Sequence, residues 1–251
     1  MRILPSGRNR RMAGGELAAM TTLPLRLLSL LAAVAIGGCS ASAGTRPVVV
    51  ELFQSQGCSS CPPANANLAK VADQPGVIAL NFSVTYWDDQ NWKDTFDQPK
   101  FTARQWDYAH AFGRGNVFTP QIVIDGRHDG VGADPGDFAR LVRTGASDGG
   151  GPSVSLAAET ATISAGSKPA AGADVWLVRY DPRILQVPIK GGENGGRTLP
   201  HKDIVRELVR IGGWDGAAET LALPPASRPG LIDAILVQSP HGGPILAAAK
   251  G

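Results

Sequence analysis

The residues best suited to chemistry in this sequence are two cysteines three positions apart, Cys58 and Cys61, in the run Cys-Ser-Ser-Cys. Cysteines at this spacing can form a disulfide across one helical turn, which brings Cα atoms to the required separation of about 5 to 6 Å. When reduced, such a pair can exchange disulfides with another protein, and the attacking species is a thiolate. The same spacing also supplies half of a tetrahedral zinc site, but the sequence has no second pair of cysteines to complete it.

The segments around the pair predict that it lies where a strand meets a helix. Residues 46–53 are a nearly continuous apolar run rich in β-branched side chains, typical of a strand buried on both faces. Two prolines and the alanine-rich residues 64–72 follow, which indicates a helix starting near the second cysteine. Residues 77–84 form the next apolar run. A strand, a helix and a strand in this order predict a parallel βαβ unit and an α/β domain.

The predicted helix start makes the two cysteines chemically unequal. Unpaired N–H groups and the helix dipole favour an anion at the beginning of a helix. We therefore predict that Cys58 is the attacking thiol and that Cys61, one turn inside, is the resolving thiol.

The rest of the first predicted domain, residues 46–144, contains an insertion and a hairpin. Residues 86–116 are predicted to be the insertion, with a helix over 99–112. The sheet resumes in the alternating run 119–126, which ends at an Asp-Gly turn. A helix over residues 135–142 closes the domain.

A second domain is predicted beyond the glycine-rich linker at residues 145–152. Residues 153–251 hold several short apolar runs separated by glycine and proline turns, a pattern that predicts a small β-sandwich-like domain. Within it, residues 203–211 fit either a strand or a helix, because their apolar residues fall in pairs, and the strand is the favoured interpretation. Residues 191–197 contain an Asn-Gly step and are interpreted as a plain turn rather than a binding loop.

The first 43 residues are predicted to be an export leader. The apolar run 27–36 follows Arg26 and an earlier arginine cluster, which is the layout of a secretory signal. A membrane-spanning helix needs about twenty apolar residues. The run ends at Gly-Gly-Cys39, which resembles a bacterial lipobox whose cysteine is lipidated, and cleavage after Ala43 is the alternative. Either route leaves the Cys-x-x-Cys pair as the remaining thiols of an exported chain, located in the periplasm or lipid-anchored to the membrane.

The order of strand, Cys-x-x-Cys, helix and strand, followed by Thr119-Pro120 at the start of a hairpin, resembles the thioredoxin superfamily. The closer resemblance is to domain-of-unknown-function family 1223, bacterial exported thioredoxin-like proteins, through residues 49–63, 86–88, 119–121 and 192–194. With the pattern above, this resemblance predicts an α/β fold: a thioredoxin-like domain with a helical insertion, followed by a small β-sandwich-like domain.

The thioredoxin resemblance also implies roles for individual residues. It implies a cis peptide bond before Pro120 that faces the cysteines, and a backbone at Thr119 that is free to pair with a substrate strand. It implies that Glu51, on the first strand, is a buried acid that manages the proton of the second cysteine. A carboxylate that is paired or solvated at the strand end is the alternative for Glu51.

Tyr86 and Trp87 follow the second predicted strand directly. Ligands of open α/β sheets gather at this edge, so both are candidate substrate-binding residues. Packing of the insertion is the alternative role for these aromatic side chains.

Three functions remain open at this point, and none involves nucleic acid, because the formal net charge is only +2 and arginines of the leader contribute to it. The leading hypothesis is a cofactor-free thiol–disulfide oxidoreductase of the cell envelope that acts on cysteines of exported proteins. One alternative is a copper or zinc site in which His110 or His128 completes the cysteine pair. The other is a non-catalytic interaction protein with a structural disulfide.

Overall fold

The computed structural model describes residues 46–145 and 150–251. The predicted leader, including Cys39, and residues 146–149 of the predicted linker lie outside the described residues. Within the described ranges, no helix is both long enough and apolar enough to cross a membrane.

Thirteen strands and three α-helices make up the described chain, together with one short 3₁₀ turn at Gly192–Asn194. The helices are α1 (Cys61–Val71), α2 (Pro99–Ala111) and α3 (Pro135–Val142). The strands are β1 (Val48–Gln54), β2 (Val77–Ser83), β3 (Gln121–Ile124), β4 (His128–Gly130), β5 (Val154–Ala157), β6 (Thr160–Ile163), β7 (Ala173–Asp181), β8 (Leu185–Pro188), β9 (Thr198–His201), β10 (Ile204–Trp214), β11 (Glu219–Ala222), β12 (Ile232–Gln238) and β13 (Ile245–Lys250).

A mixed sheet of eight strands runs through both halves of the sequence, in the order β13-β12-β7-β10-β2-β1-β3-β4. The predicted parallel unit is confirmed, since β1 and β2 pair in parallel from Val48 opposite Val77 to Gln54 opposite Ser83. Strand β10 joins the two halves through the pairing of Ile204 with Asn81. The predicted strand at residues 203–211 is therefore confirmed, and it occupies the centre of the sheet.

The predicted fold class is wrong. The described part of the chain is mostly β, with 37% strand and 17% helix, and residues 46–145 and 150–251 belong to one compact unit. The second half does not build a separate sandwich, because β7, β10, β12 and β13 extend the sheet that the first half begins. A sandwich-like part does exist, since Ala161 and Ile163 of β6 pack with Val175 and Leu177 of β7.

The predicted helical insertion is also not found. Helix α2 buries Phe101 and Tyr108 in the main hydrophobic core, together with residues of β1, β2, β7, β10 and β12. It therefore covers one face of the shared sheet. Sequence patterns could not reveal this, because the residues of β7, β10 and β12 that pack with α2 lie in the other half of the chain.

Strand β1 lies between two helical layers, and alternate residues face opposite sides of the sheet. Val49 and Phe53 pack on the side of α2. Val50 and Leu52 pack on the other side, against α1 and α3. This alternation places Glu51 on the side of α2, and the chain continues from Gln54 into the loop that carries the cysteines.

Candidate functional site

The cysteine pair lies in the turn that leads from β1 into α1. The sulfur atoms of Cys58 and Cys61 are at disulfide distance, and their Cα atoms are 5.5 Å apart. Helix α1 begins at Cys61, with Ser60 as the N-cap residue and proline at the first helical positions. Cys58 thus precedes the helix and Cys61 is its first residue, whereas the predicted arrangement has Cys58 at the helix start and Cys61 one turn inside. The Ser60 hydroxyl oxygen lies 3.2 Å from the Cys58 sulfur, within hydrogen-bonding distance.

Both cysteines are buried, although the two serines between them are exposed. Cys58 has 0% and Cys61 has 1% of its surface accessible to solvent. A disulfide in this position cannot be reached by another protein without movement of its surroundings.

A loop from the second half of the chain packs against the cysteines. This segment, residues 191–196, is called here the 191–196 loop. The backbone N–H of Glu193 donates to the Gly57 carbonyl oxygen at 2.9 Å. One carboxylate oxygen of Glu193 accepts from the backbone N–H of Ser59 at 3.0 Å and from the Ser59 hydroxyl at 2.6 Å. These hydrogen bonds lower the pKa of Glu193, so its side chain is ionised at neutral pH.

Asn194 provides the buried part of this contact, with only 1% of its surface exposed. Its side-chain amide nitrogen donates to the carbonyl oxygens of Gln56 at 2.9 Å and Cys58 at 2.8 Å. Its amide oxygen accepts from Arg197 at 2.6 Å. The side chain therefore fixes the backbone on both sides of Gly57.

The two backbones approach so closely that glycine is required at the contact. Gly192 adopts a φ of +67°, and a Cβ atom there would lie 2.6 Å from the Cα atom of Gly57. A Cβ on Gly57 would meet the Trp92 ring at 2.9 Å. Residues 191–197 are predicted to be a plain turn, and that prediction does not include this contact. The signal available was the two glycine pairs that flank an acid and an amide.

Buried polar side chains hold the cysteine loop on its inner side. Asn65 donates to the Cys61 carbonyl oxygen at 3.3 Å and accepts from Asn81 at 2.7 Å, which ties the first turn of α1 to β2. Asp94 accepts from the backbone N–H of Gln56 at 2.7 Å, and burial raises the pKa of Asp94. The loop is thus fixed from the sheet, from residues 94–95 and from the 191–196 loop.

A cavity of about 280 Å³ opens beside Cys61. His201 contributes to its wall as a neutral ring, because burial lowers the pKa of this histidine to about 4. Ile184, 59% exposed, stands at the cavity. The apolar part of the wall comes from α1 and β9, through Pro62, Ala66, Ala69, Leu199 and Pro200.

The structure places Thr119 and Pro120 at the same end of the sheet as the cysteine loop. The peptide bond between them is cis, as predicted. The next residue, Gln121, pairs with Phe53 near the end of β1. Thr119 accepts a hydrogen bond from the Trp87 indole nitrogen at 2.8 Å, so these two predicted site residues are brought together.

Tyr86 and Glu51 contact helix α2. Tyr86 is 42% exposed, and its hydroxyl donates to the Gln105 side chain at 3.2 Å. Glu51 accepts from the Arg104 guanidinium at 2.6 and 3.2 Å and from the Tyr108 hydroxyl. Glu51 is therefore paired on the face of the sheet that is opposite α1. This geometry corresponds to the alternative of a paired carboxylate and not to a proton relay for Cys61.

The two histidines considered as metal ligands lie on different elements. His128 is exposed on β4, opposite Ile124, and His110 is exposed on α2 beside the Trp106 ring. Across residues 46–145 and 150–251, no group of three or more His, Cys, Asp or Glu side chains is arranged to hold a metal ion.

Comparison with known proteins gives a family match without a function. The model of the family described as "Protein of unknown function (DUF1223)" matches residues 49–238. The crystal structure of protein AGR_C_4864 from Agrobacterium tumefaciens is similar, with 31% identity and a TM-score of 0.67, over 81% of this chain and 92% of that chain. HBP35 of Porphyromonas gingivalis shares the fold at 17% identity and a TM-score of 0.55, over 82% of this chain and 75% of that chain. No curated protein matches the chain.

Proposed function

We propose that this chain, which belongs to the family of proteins of unknown function DUF1223, is a thiol–disulfide oxidoreductase that exchanges disulfides with exported proteins. One observation carries the proposal: Cys58 and Cys61 form a disulfide pair across the turn that enters α1, at the end of a strand of the parallel pair β1–β2. A helix start favours a thiolate and is a recurrent position for reactive cysteines.

The relation to the thioredoxin superfamily is part of this proposal and concerns the arrangement of the site. The order of β1, the cysteine pair, α1 and β2, followed by Thr119-Pro120 at the start of β3, supports it. In this reading the backbone of Thr119 would pair with an extended substrate segment, and Trp87 would hold the Thr119 side chain in place.

Exchange at this pair balances without a cofactor. A substrate thiolate attacks the Cys58 sulfur, the Cys58–Cys61 bond breaks, and Cys61 leaves as a thiolate. A second substrate thiolate then attacks the substrate sulfur of the mixed disulfide and releases Cys58. The substrate leaves with a disulfide, and the chain keeps two reduced cysteines. The reverse sequence reduces a substrate disulfide, and the relative reduction potentials set the direction.

Ser60 is the side chain best placed to assist the reaction at Cys58. Its hydroxyl lies 3.2 Å from the sulfur, where it would donate a hydrogen bond to a thiolate.

The proposal includes export to the cell envelope. It rests on the leader pattern of residues 27–39, and the location is the periplasm or a lipid anchor at Cys39.

Trapping of substrates tests the proposal. In a Cys61→Ser variant, Cys58 should attack a partner disulfide and remain covalently bound, because no second thiol is left to release it. Cys58→Ser should trap nothing. Covalent complexes separated without reductant and identified by mass spectrometry give the answer. Absence of complexes with both variants would contradict the proposal.

A structural disulfide is the second candidate, and the burial of both cysteines favours it. Under that reading the pair fixes the start of α1 and does not exchange. Its reduction potential would then lie below about −300 mV, in the range of structural disulfides.

A further inference from the structure

The 191–196 loop holds the backbone around Cys58 in a closed arrangement. We propose that this loop is a gate over Cys58, latched by Glu193 and Asn194, and that it must lift before this cysteine can exchange. The inference rests on the proposed function and adds a regulation of the same site. Glu193 and Asn194 act through the cysteine loop and are therefore positioning residues.

The latch consists of hydrogen bonds to four consecutive residues, 56–59. Asn194 contributes two bonds to carbonyl oxygens, and Glu193 contributes one from its backbone and accepts two from Ser59. All of these bonds would break together if the loop lifted as a unit. The Ser59 side of the latch is exposed to water, which can replace those bonds, whereas the Asn194 side is buried. We therefore expect Asn194 to contribute more than Glu193 to the stability of the closed arrangement.

The architecture allows this movement. The loop is the tip of the ribbon formed by β8 and β9, which pair with each other in a two-stranded sheet separate from the eight-stranded one. The base of the ribbon is anchored, because Leu185, at the end of β8 farthest from the loop, packs against the cluster of Phe96, Val187 and Ile204. Four of the six loop residues are glycine, which lowers the barrier to changes in backbone dihedral angles. The tip can lift while the base stays in place.

The closed gate also works against a thiolate at Cys58. Ser59, next to Cys58, offers a backbone N–H and a hydroxyl, which are donors at the entrance to α1. Glu193 occupies both and brings a negative charge to the same place. A thiolate at Cys58 would be repelled by the Glu193 carboxylate and would receive no hydrogen bonds from the two Ser59 donors. Lifting the loop removes the charge and frees the donors, so opening both exposes Cys58 and favours its reactive form.

Alkylation of the reduced protein tests the gate without any need for exchange activity. The rate at which iodoacetamide modifies Cys58 is measured in the full chain, with the modified peptide identified by mass spectrometry. The variants are Asn194→Ala, Gly192→Ala and Glu193→Gln. Glu159→Gln, on the exposed turn between β5 and β6, is the matched control for a lost carboxylate. Circular dichroism confirms that each variant is folded.

We expect Asn194→Ala, which removes two buried hydrogen bonds to the cysteine loop, to raise the Cys58 rate about tenfold. Gly192→Ala should raise it by about the same factor, because its Cβ atom would clash with Gly57 in the closed arrangement. In Glu193→Gln, the pH profile of the Cys58 rate should move to lower pH, because a negative charge has been removed. Glu159→Gln should behave as wild type. Folded variants with rates within about twofold of wild type and an unmoved profile would overturn the gate.

The outcome is distinguishable from failure of the proposed function. If the chain exchanges disulfides but has no gate, Cys61→Ser traps partners and the alkylation rates do not change. If the loop gates Cys58 but the pair does not exchange, the rates change and no partner is trapped.

Discussion

The side-chain amide of Asn194 donates a hydrogen bond to the backbone carbonyl of Cys58 at 2.8 Å, across a sequence separation of 136 residues. The second half of the chain thus forms part of the environment of the cysteines. This contact is a structural element as well as a latch, and its contribution to stability can be measured.

Asn194→Ala should lower the free energy of unfolding by about 1 to 3 kcal/mol, because it leaves the buried carbonyl groups of Gln56 and Cys58 without this donor. Chemical denaturation of the oxidised protein measures the change. Asn91→Ala is the matched control, since Asn91 is exposed, and it should change stability by less than about 0.5 kcal/mol. If Asn194→Ala lowers the free energy of unfolding no more than Asn91→Ala does, the contact contributes little to stability.

Arg104→Met should destabilise the protein by about 3 to 5 kcal/mol, because it leaves the buried Glu51 carboxylate without its ionic partner. The control is Arg140→Met, which removes an exposed ion pair with Asp137 and should cost at most about 1 kcal/mol. Urea titrations of both variants compare the two pairs. A small loss for Arg104→Met would mean that Glu51 and Arg104 do not hold α2 on the sheet.

The buried carboxyl group of Asp203 should make the free energy of unfolding depend on pH. Burial, aided by the nearby carboxylates of Asp73 and Asp181, raises its pKa from 3.8 to about 7, so the folded chain holds a proton that the unfolded chain releases above pH 3.8. The contribution of this proton to the free energy of unfolding is complete below pH 3.8. It is lost as the pH rises towards 7, with a slope of up to about 1.4 kcal/mol per pH unit.

Asp203→Asn should remove the contribution of Asp203 to this slope, because the amide does not titrate and asparagine tolerates the positive φ of 52° at this position. Unfolding free energies of the variant and wild type are compared from pH 4 to pH 7. Asp137→Asn, at an exposed carboxylate, serves as the control. If wild type and Asp203→Asn show the same slope, Asp203 is ionised in the folded protein.

Local patterns in the sequence were sufficient to predict the elements next to the cysteines. The buried apolar run before them, the two prolines after Cys61 and the second apolar run each specify a strand or a helix by nearby residues alone. The strand at residues 203–211 was also predicted, although its paired apolar residues fitted a helix as well. Its place in the sheet was not, because the pairing of Ile204 with Asn81 depends on contacts distant in sequence.

The same limit explains the errors at the site. An Asn-Gly step predicts a turn, but it carries no information about which surface the turn contacts, so the 191–196 loop went unrecognised. Glu51 was correctly placed on the first strand. Its partners were not predicted, because they depend on which helix covers that face, and α2 supplies both Arg104 and Tyr108.

The equilibrium reduction potential of the Cys58–Cys61 pair tests the central claim most directly. It is measured by equilibration of the protein with glutathione or dithiothreitol redox buffers, with the fraction of disulfide read by alkylation and mass spectrometry. An exchanging pair should have a potential between about −270 and −120 mV, the range of known thiol–disulfide oxidoreductases. A potential below about −300 mV would contradict the account and identify a structural disulfide.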